Sequence, residues 1–285
     1  SSYISIASGI VSKISPSKKP DWAWCYCFFP ALVVYFALLM SHINTKPTTG
    51  YIEILDSDMH KIISPSANIE IIATGMNWTE GPLWIDDETL SSSYLLFSDT
   101  ITNRVWKWEE GKGFFTIGKT LYMEHSGCKL DNPWCTNIKE PGSNGLISLL
   151  GSKTDDIILC EHGERSVSLV YANGSRVVLA SHYEKKRLNS PNDVVWSPEQ
   201  NLYFTDPPFG LYDKSGKIIQ DQQQNRNGVY MIPRQQVHYA LQSGGTSADL
   251  VLLDDTMTRP NGIAFSPDFS KLFVSNCDHT AAYWK

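Results

Sequence analysis

The sequence predicts an all-β fold of β-propeller type, on three observations. From residue 69 onward, short runs rich in aromatic and β-branched residues alternate with Gly, Asn, Asp and Pro turns, as sandwiches and propellers require. One supersecondary unit then recurs: EGPLWIDDETLSSSYLLFSD (80–99), SNGLISLL (143–150) with the strand 156–160 leading to Glu161 and His162, RLNSPNDVVWSPEQNLYFTDPPFG (187–210), and RPNGIAFSPDFSKLFVSNCD (259–278). Repetition of such a unit at intervals of roughly 40 to 70 residues marks the blades of a propeller. Finally, the position that opens each unit carries an oxygen-bearing side chain: Glu80, Asn144, Asn192 and Asn261. Blade starts lie near a central channel, so these four residues form a ring of oxygen ligands of the kind a hard cation such as Ca²⁺ takes.

The chain divides into a tail (1–21), an apolar segment (22–40), a stalk (41–68) and the propeller (69–285). Trp22 to Met40 is uncharged and just long enough to cross a bilayer. Lys13, Lys18 and Lys19 precede it while only Lys46 follows closely, so the positive-inside bias places the tail in the cytoplasm and the propeller on the non-cytoplasmic side. A cleaved signal peptide, which would leave the protein secreted, and a buried core helix are the alternatives. The chain opens on Ser1 rather than Met, which points to a native start further upstream. The stalk is polar, with a short apolar patch at Tyr51 to Leu55.

In the first blade, strands are expected at Ile69 to Thr74, Leu83 to Ile85, Tyr94 to Ser98, Arg104 to Trp108 and Gly113 to Ile117. The second holds Gly145 to Leu149, Ile157 to Cys160, Ser166 to Tyr171 and Arg176 to Ala180, with Ala172-Asn173-Gly174 as a hairpin turn. The third holds Asp193 to Trp196, Leu202 to Thr205, Gly228 to Ile232 and Ala248 to Leu253, and its long loop, Gly210 to Asn227, is a candidate lid over the mouth. The fourth pairs Ile263 to Phe265 with Leu272 to Ser275. About four blades are visible, the last incomplete, against the four to eight that closure takes, so the expectation is that further blades follow Lys285.

A formal net charge of −6 without any basic face argues against nucleic acid and favours a metal or a small neutral or cationic molecule as partner. Of the six cysteines, Cys128 and Cys135 bracket the loop GCKLDNPWC and can close a disulfide in an oxidising compartment. Their spacing is not that of a zinc knuckle. Cys160 and Cys277 end strands and read as packing residues. The sequons Asn77-Trp78-Thr79 and Asn173-Gly174-Ser175 suit a secretory compartment, although a glycan on Asn77 would crowd Glu80.

Among the polar residues near the blade starts, Asp193 and Asp206 read either as groups that fix the ligands or as caps of the sheet ends. Asn192 and Asn261 have a bland alternative, as turn residues whose amides cap local backbone. His162 lines the channel and binds substrate hydroxyls, or is a structural histidine at a strand end. Ser190 and Ser275 lack a nucleophile-elbow context, so no serine-hydrolase triad is supported.

EGPLW (80–84), LLFSD (95–99), NRVWKW (103–108), SNGL (143–146), CEHGERSV (160–167), RLNSPNDVV (187–195), YFTDPPFG (203–210), NGVYMI (227–232) and RPNGIAFSPD (259–268), in this order, resemble the senescence-marker-protein/gluconolactonase/luciferin-regenerating-enzyme-like family, in its gluconolactonase branch. The resemblance covers residue 69 to the C-terminus. It implies a six-bladed propeller with a divalent cation in its channel (Ca²⁺ foremost, with Zn²⁺, Mn²⁺ or Mg²⁺ as alternatives) that hydrolyses sugar lactones or related esters. It further implies that Glu80 and Asn261 are metal ligands and that Asn192 lies beside both metal and substrate; Asn144, from its blade-start position, and His162 are the further candidate substrate contacts. The family's aspartate, a ligand also proposed as general base, would lie beyond Lys285. A non-catalytic scaffold with a structural metal, or an enzyme like strictosidine synthase or paraoxonase, are the competing readings, since one fold hosts many functions.

Overall fold

The structure is a computed structural model that describes residues 47–87, 92–111, 118–152, 155–218, 222–245, 249–278, 280 and 283–284. The apolar segment 22–40, the tail and the expected strand 113–117 lie outside the described residues. Among the described residues no helix is long and apolar enough to cross a membrane.

The strands form successive antiparallel meanders. Blade one comprises β1 (Thr79–Asp87), β2 (Ser92–Asp99), β3 (Arg104–Glu109) and β4 (Thr120–Glu124). Blade two comprises β5 (Ser143–Ser148), β6 (Ile157–Glu161), β7 (Ser166–Val170) and β8 (Arg176–Ala180). A two-stranded ribbon, β9 (His182–Tyr183) and β10 (Lys186–Arg187), leads to blade three: β11 (Val194–Trp196), β12 (Leu202–Asp206), β13 (Gly228–Ile232) and β14 (Val251–Asp254). Blade four has β15 (Pro260–Phe265), β16 (Leu272–Asn276) and the short β17 (Tyr283–Trp284). The first strands lie side by side in the order β1, β5, β11, β15. The arrangement is propeller-like, and none of the sheets closes on itself.

The cores sit between blades, and strand periodicity explains how. Successive side chains of a strand face opposite ways, and β6 is buried on both faces. Its Ile157 and Leu159 pack against Ile85, Tyr94 and Leu96 of blade one. Its Ile158 and Cys160 pack instead with Val194, Leu202, Phe204 and Tyr230 of blade three. A third cluster, with Val229, Ile263, Val274 and Met257, joins blades three and four.

Three elements differ from expectation. Ile69 to Thr74 is not a strand of blade one. It is a segment that Thr48 bridges at Glu70, and with Pro82, Leu95 and Phe97 it lines an open cleft of about 350 Å³ reaching Glu80. The fourth strand of blade one is Thr120–Glu124. Helix α1 (Arg234–Ser243) follows β13 and buries Val237 and Ala240 in the core between blades two and three. Pro233 precedes it, and Gly244 at φ 76° supplies the left-handed C-terminal turn. Cys160 is buried as expected, whereas Cys277 is exposed.

Candidate metal and substrate site

One backbone device recurs at the blade starts. In β1, Glu80 pairs with Ser98 and then Leu83 with Leu96. In β5, Ser143 pairs with Glu161 and then Leu146 with Leu159. In β15, Pro260 pairs with Asn276 and then Ile263 with Val274. Each is a β-bulge with one extra residue, and a bulge re-aims the side chains around it. It falls on Gly81-Pro82, immediately after Glu80, and on Asn144-Gly145 and Asn261-Gly262, so it lies on or beside the residues the repeat singles out.

Close contacts join these starts into one row. A Cβ on Gly81, at φ +53°, would sit 2.0 Å from the Asn144 carbonyl oxygen, and one on Gly145 would sit 2.8 Å from that of Asn192. The Gly145 N–H donates to the Asn192 carbonyl at 2.6 Å, and the Thr205 hydroxyl donates to the Asn261 carbonyl at 2.7 Å. Where the other starts have glycine after the ligand residue, the third has Asp193. Its Oδ1 accepts from the Val194 N–H and its Oδ2 from the Ile263 N–H of the next blade, both at 2.9 Å. Burial raises the Asp193 pKa despite these bonds. Asp193 therefore staples blade three to blade four beside Asn192 and Asn261, using one acceptor site on each of its oxygens.

The side-chain amides behave differently according to position. Those of Asn103, Asn132, Asn189 and Asn276 are tied to neighbours. No hydrogen bond from another described residue reaches the amides of Asn144, Asn192 or Asn261, although Asn144 and Asn192 are buried. They cap no local backbone. Two of these amides belong to buried residues and the third, that of Asn261, to a half-buried one; unengaged by neighbours and lying beside a carboxylate, they are available to a ligand. The Glu80 carboxylate is itself oriented, accepting the Trp78 indole N–H at 2.9 Å. One carboxylate and several amide oxygens on rigid, bulged strands fit a hard divalent cation.

A second repeat lies just behind the first. At the ends of β2, β12 and β16, Asp99 accepts from the Trp78 N–H, Asp206 from the Asn189 N–H and Asn276 from the Arg259 N–H. Each clasps the segment that leads into its own blade start. Asp206 is thus a cap of the sheet end, fully buried, and burial lifts its pKa to about 7. In blade two the corresponding Glu161 takes hydroxyls from Ser166 and Ser168, at 2.7 and 2.5 Å, and a buried ion pair with Arg176. Burial nevertheless raises its pKa.

His162 follows Glu161 and is sealed from solvent, with neither ring nitrogen hydrogen-bonded. Burial lowers its pKa to about 4, so it is neutral. Two segments cover it. Ile138 bridges Asp213, and the Lys139 N–H donates to the Tyr212 carbonyl at 2.9 Å, while Gly210 packs directly on the His162 Cβ. The first of these segments carries Glu140, whose carboxylate lies 4.0 Å from His162 Nδ1. Its pKa is raised, first by burial, and the field of Glu80 adds to that shift. Glu140 belongs to the site's surroundings although no motif marks it; the His162 and Gly163 N–H groups, donating to the Gly142 and Pro141 carbonyls, bring it there.

Cys128 and Cys135 form a disulfide, with Cα atoms 5.7 Å apart. They cluster with Glu164, but a disulfide leaves no thiolate to bind metal. Glu164 instead accepts the Lys129 N–H and the Asn132 amide, fastening the loop to the turn after His162.

The bulged, linked blade starts, with polar side chains gathered at one end, define an all-β propeller-like protein with an oxygen-donor site along its inner strands. Residues 78–283 match the SMP-30/gluconolactonase/LRE-like region, and the chain belongs to that family. It is 33% identical over 235 residues to a gluconolactonase of Zymomonas mobilis, a match covering 82% of this chain and 58% of that protein. It also resembles the solved structure of a gluconolactonase from Xanthomonas campestris, with a TM-score of 0.61 and 25% identity over 84% of this chain and 70% of that one. The chain thus spans little more than half the length of the curated relative it matches.

Proposed function

We propose that this chain carries most of the site of a divalent-cation-dependent sugar-lactone hydrolase. The observation that carries the reading is the row formed by Glu80, Asn144, Asn192 and Asn261, whose amides no neighbouring residue uses. Glu80, Asn192 and Asn261 would hold the cation, Ca²⁺ foremost, with Asn144 and Asn192 turned to the substrate. When bound, such a cation supplies Lewis acidity to the lactone carbonyl and acidifies a neighbouring water.

The protein's own residues do the rest. Trp78 fixes the Glu80 carboxylate, and Asp193 holds the Asn192 and Asn261 segments in register by bonding both blades. Asp206 secures the approach to Asn192 through Asn189. Glu80 is the lone carboxylate among the four donors, so a cation there stays under-neutralised. His162 reaches substrate only when the segments around Glu140 and Gly210 part. The whole protein would be a six-bladed propeller on the non-cytoplasmic side of a membrane, anchored by residues 22–40, or secreted if that segment is cleaved.

The test is hydrolysis of glucono-1,5-lactone by the full-length protein, followed by proton release, after chelation and after adding back Ca²⁺, Zn²⁺, Mn²⁺ or Mg²⁺. The reading predicts loss on chelation, recovery with one of these ions, and failure to recover in Glu80→Gln. Full activity after exhaustive chelation contradicts it. A folded, cation-binding protein that turns over no lactone or ester would favour the scaffold reading.

A further inference from the structure

We infer that Asn173, at the end of blade two farthest from the blade starts, is an N-glycosylation site. The acceptor triplet Asn173-Gly174-Ser175 forms the tip of the β7–β8 hairpin, where the Gly174 N–H donates to the Tyr171 carbonyl and the Tyr171 N–H to the Ser175 carbonyl. Gly174 adopts φ +84°, and nothing lies within 4 Å of the Cβ position built on it. The tip therefore stands in open space with room for a bulky polar group. Asn173 is exposed, and its Oδ1 accepts both the Ser175 N–H and the Ser175 hydroxyl, at 2.9 and 2.7 Å. The side-chain nitrogen that would carry the sugar has no partner among the described residues.

The direction of the strands fixes the location. β5 leaves the mouth and β6 returns to it at Glu161; β7 leaves again and reaches its far end at Val170. The hairpin tip is consequently at the end opposite Asn144 and Asn192, where a glycan shields the sheet end and leaves the site open. The other triplet, Asn77-Trp78-Thr79, is at the mouth, with the Trp78 indole on Glu80. The inference rests on the non-cytoplasmic placement proposed above, which the disulfide between Cys128 and Cys135 independently favours. Chemically, the Asn173 Nδ2 attacks the anomeric carbon of a lipid-pyrophosphate-linked oligosaccharide. A carbon–nitrogen bond forms, the carbon–oxygen bond to pyrophosphate breaks, the lipid pyrophosphate leaves with the electron pair, and the amide proton passes to a base of the transferase.

The experiment takes the full-length protein from secretory-pathway expression, releases N-glycans enzymatically in heavy-oxygen water, and reads the Asn173 peptide by mass spectrometry. Alkylation of free thiols before digestion reports the state of Cys128 and Cys135. The expected result is heavy-oxygen Asp at position 173 in the wild type, complete loss of that glycan in Asn173→Gln and Ser175→Ala, retention in Ser175→Thr, and unchanged lactone turnover in Asn173→Gln. An unmodified Asn173 in protein whose Cys128–Cys135 bond has formed overturns the site while the placement stands. An unmodified Asn173 with both thiols alkylated overturns the placement and the site with it.

Discussion

Asp206→Asn isolates the cost of a carboxyl buried behind the site. Asp206 has no exposed surface, its Oδ2 accepts the Asn189 N–H at 2.8 Å, and burial lifts its pKa to about 7. An unfolded Asp titrates near 3.9, so the folded state binds a proton that the unfolded state has released across the interval between. The folded pKa is the raised one. The group's contribution to stability is therefore fully present below about pH 4 and is lost as pH rises through about 7. The loss runs at about 1.4 kcal/mol per pH unit within the window, or about 2 kcal/mol between pH 5 and pH 7. The amide variant keeps the clasp, because Asn276 makes the equivalent bond to the Arg259 N–H at 2.8 Å in blade four, but it cannot titrate. Urea unfolding of both proteins at pH 5 and pH 7 should show the wild type losing about 2 kcal/mol more than Asp206→Asn over that interval. Glu140, Glu161 and Asp193 also titrate, but they do so in both proteins and cancel. Equal losses would show Asp206 to be ionised throughout, held so by the nearby Arg165, and the argument from burial would fail.

Other perturbations test the seams between blades. Asp193→Ala removes the acceptor of the Val194 and Ile263 N–H groups; two bonds to a charged group are together worth about 3–6 kcal/mol, read as a lowered urea midpoint. Gly145→Val places a side chain 2.8 Å from Asn192 and Asp193 backbone atoms and should cost at least about 1–3 kcal/mol, with cation affinity falling in step because Asn192 shifts. A wild-type midpoint and affinity would contradict the contact. Reducing the Cys128–Cys135 bond, which closes a sequence separation of 7, should cost about 2.5 kcal/mol by loop entropy; identical unfolding with and without reductant would show the loop fixed by Asn103 and Glu164 alone.

Much of this fold is legible in local sequence because each blade repeats one local problem. A polar turn must open an inner strand, a glycine must allow the neighbouring backbone in, and a second strand must return. Gly81 and Gly145 answer it the same way, and Gly262 holds the same place in the motif with only side-chain atoms near it, so the repeat shows through. Asp193 takes the glycine's place in blade three, and that substitution reads as a positioning group only once the Ile263 N–H is found on its far oxygen. Helix α1 has its signals in Pro233, Gly244 and the spacing of Val237, Ala240 and Leu241, but a strand-rich context hides a single helix of ten residues. The segment 69–74 has strand composition but, among the described residues, no strand partner beyond the bridge at Glu70, since pairing is decided by neighbours and not by β-propensity alone. His162 and Glu140 meet because the His162 and Gly163 N–H groups bond the Gly142 and Pro141 carbonyls just before β5, a pairing between segments distant in sequence that no single motif encodes.

The central claim is that Glu80 and the unengaged asparagines hold a divalent cation on which lactone hydrolysis depends. Calorimetric titration of Ca²⁺ into chelated full-length protein, wild type and Glu80→Gln, run beside glucono-1,5-lactone turnover on the same samples, tests it most directly. The account predicts one cation per chain in the wild type, turnover that rises with its occupancy, and loss of both in the variant while the fold survives. Unchanged cation binding in a folded Glu80→Gln protein, or turnover that ignores occupancy, would contradict it.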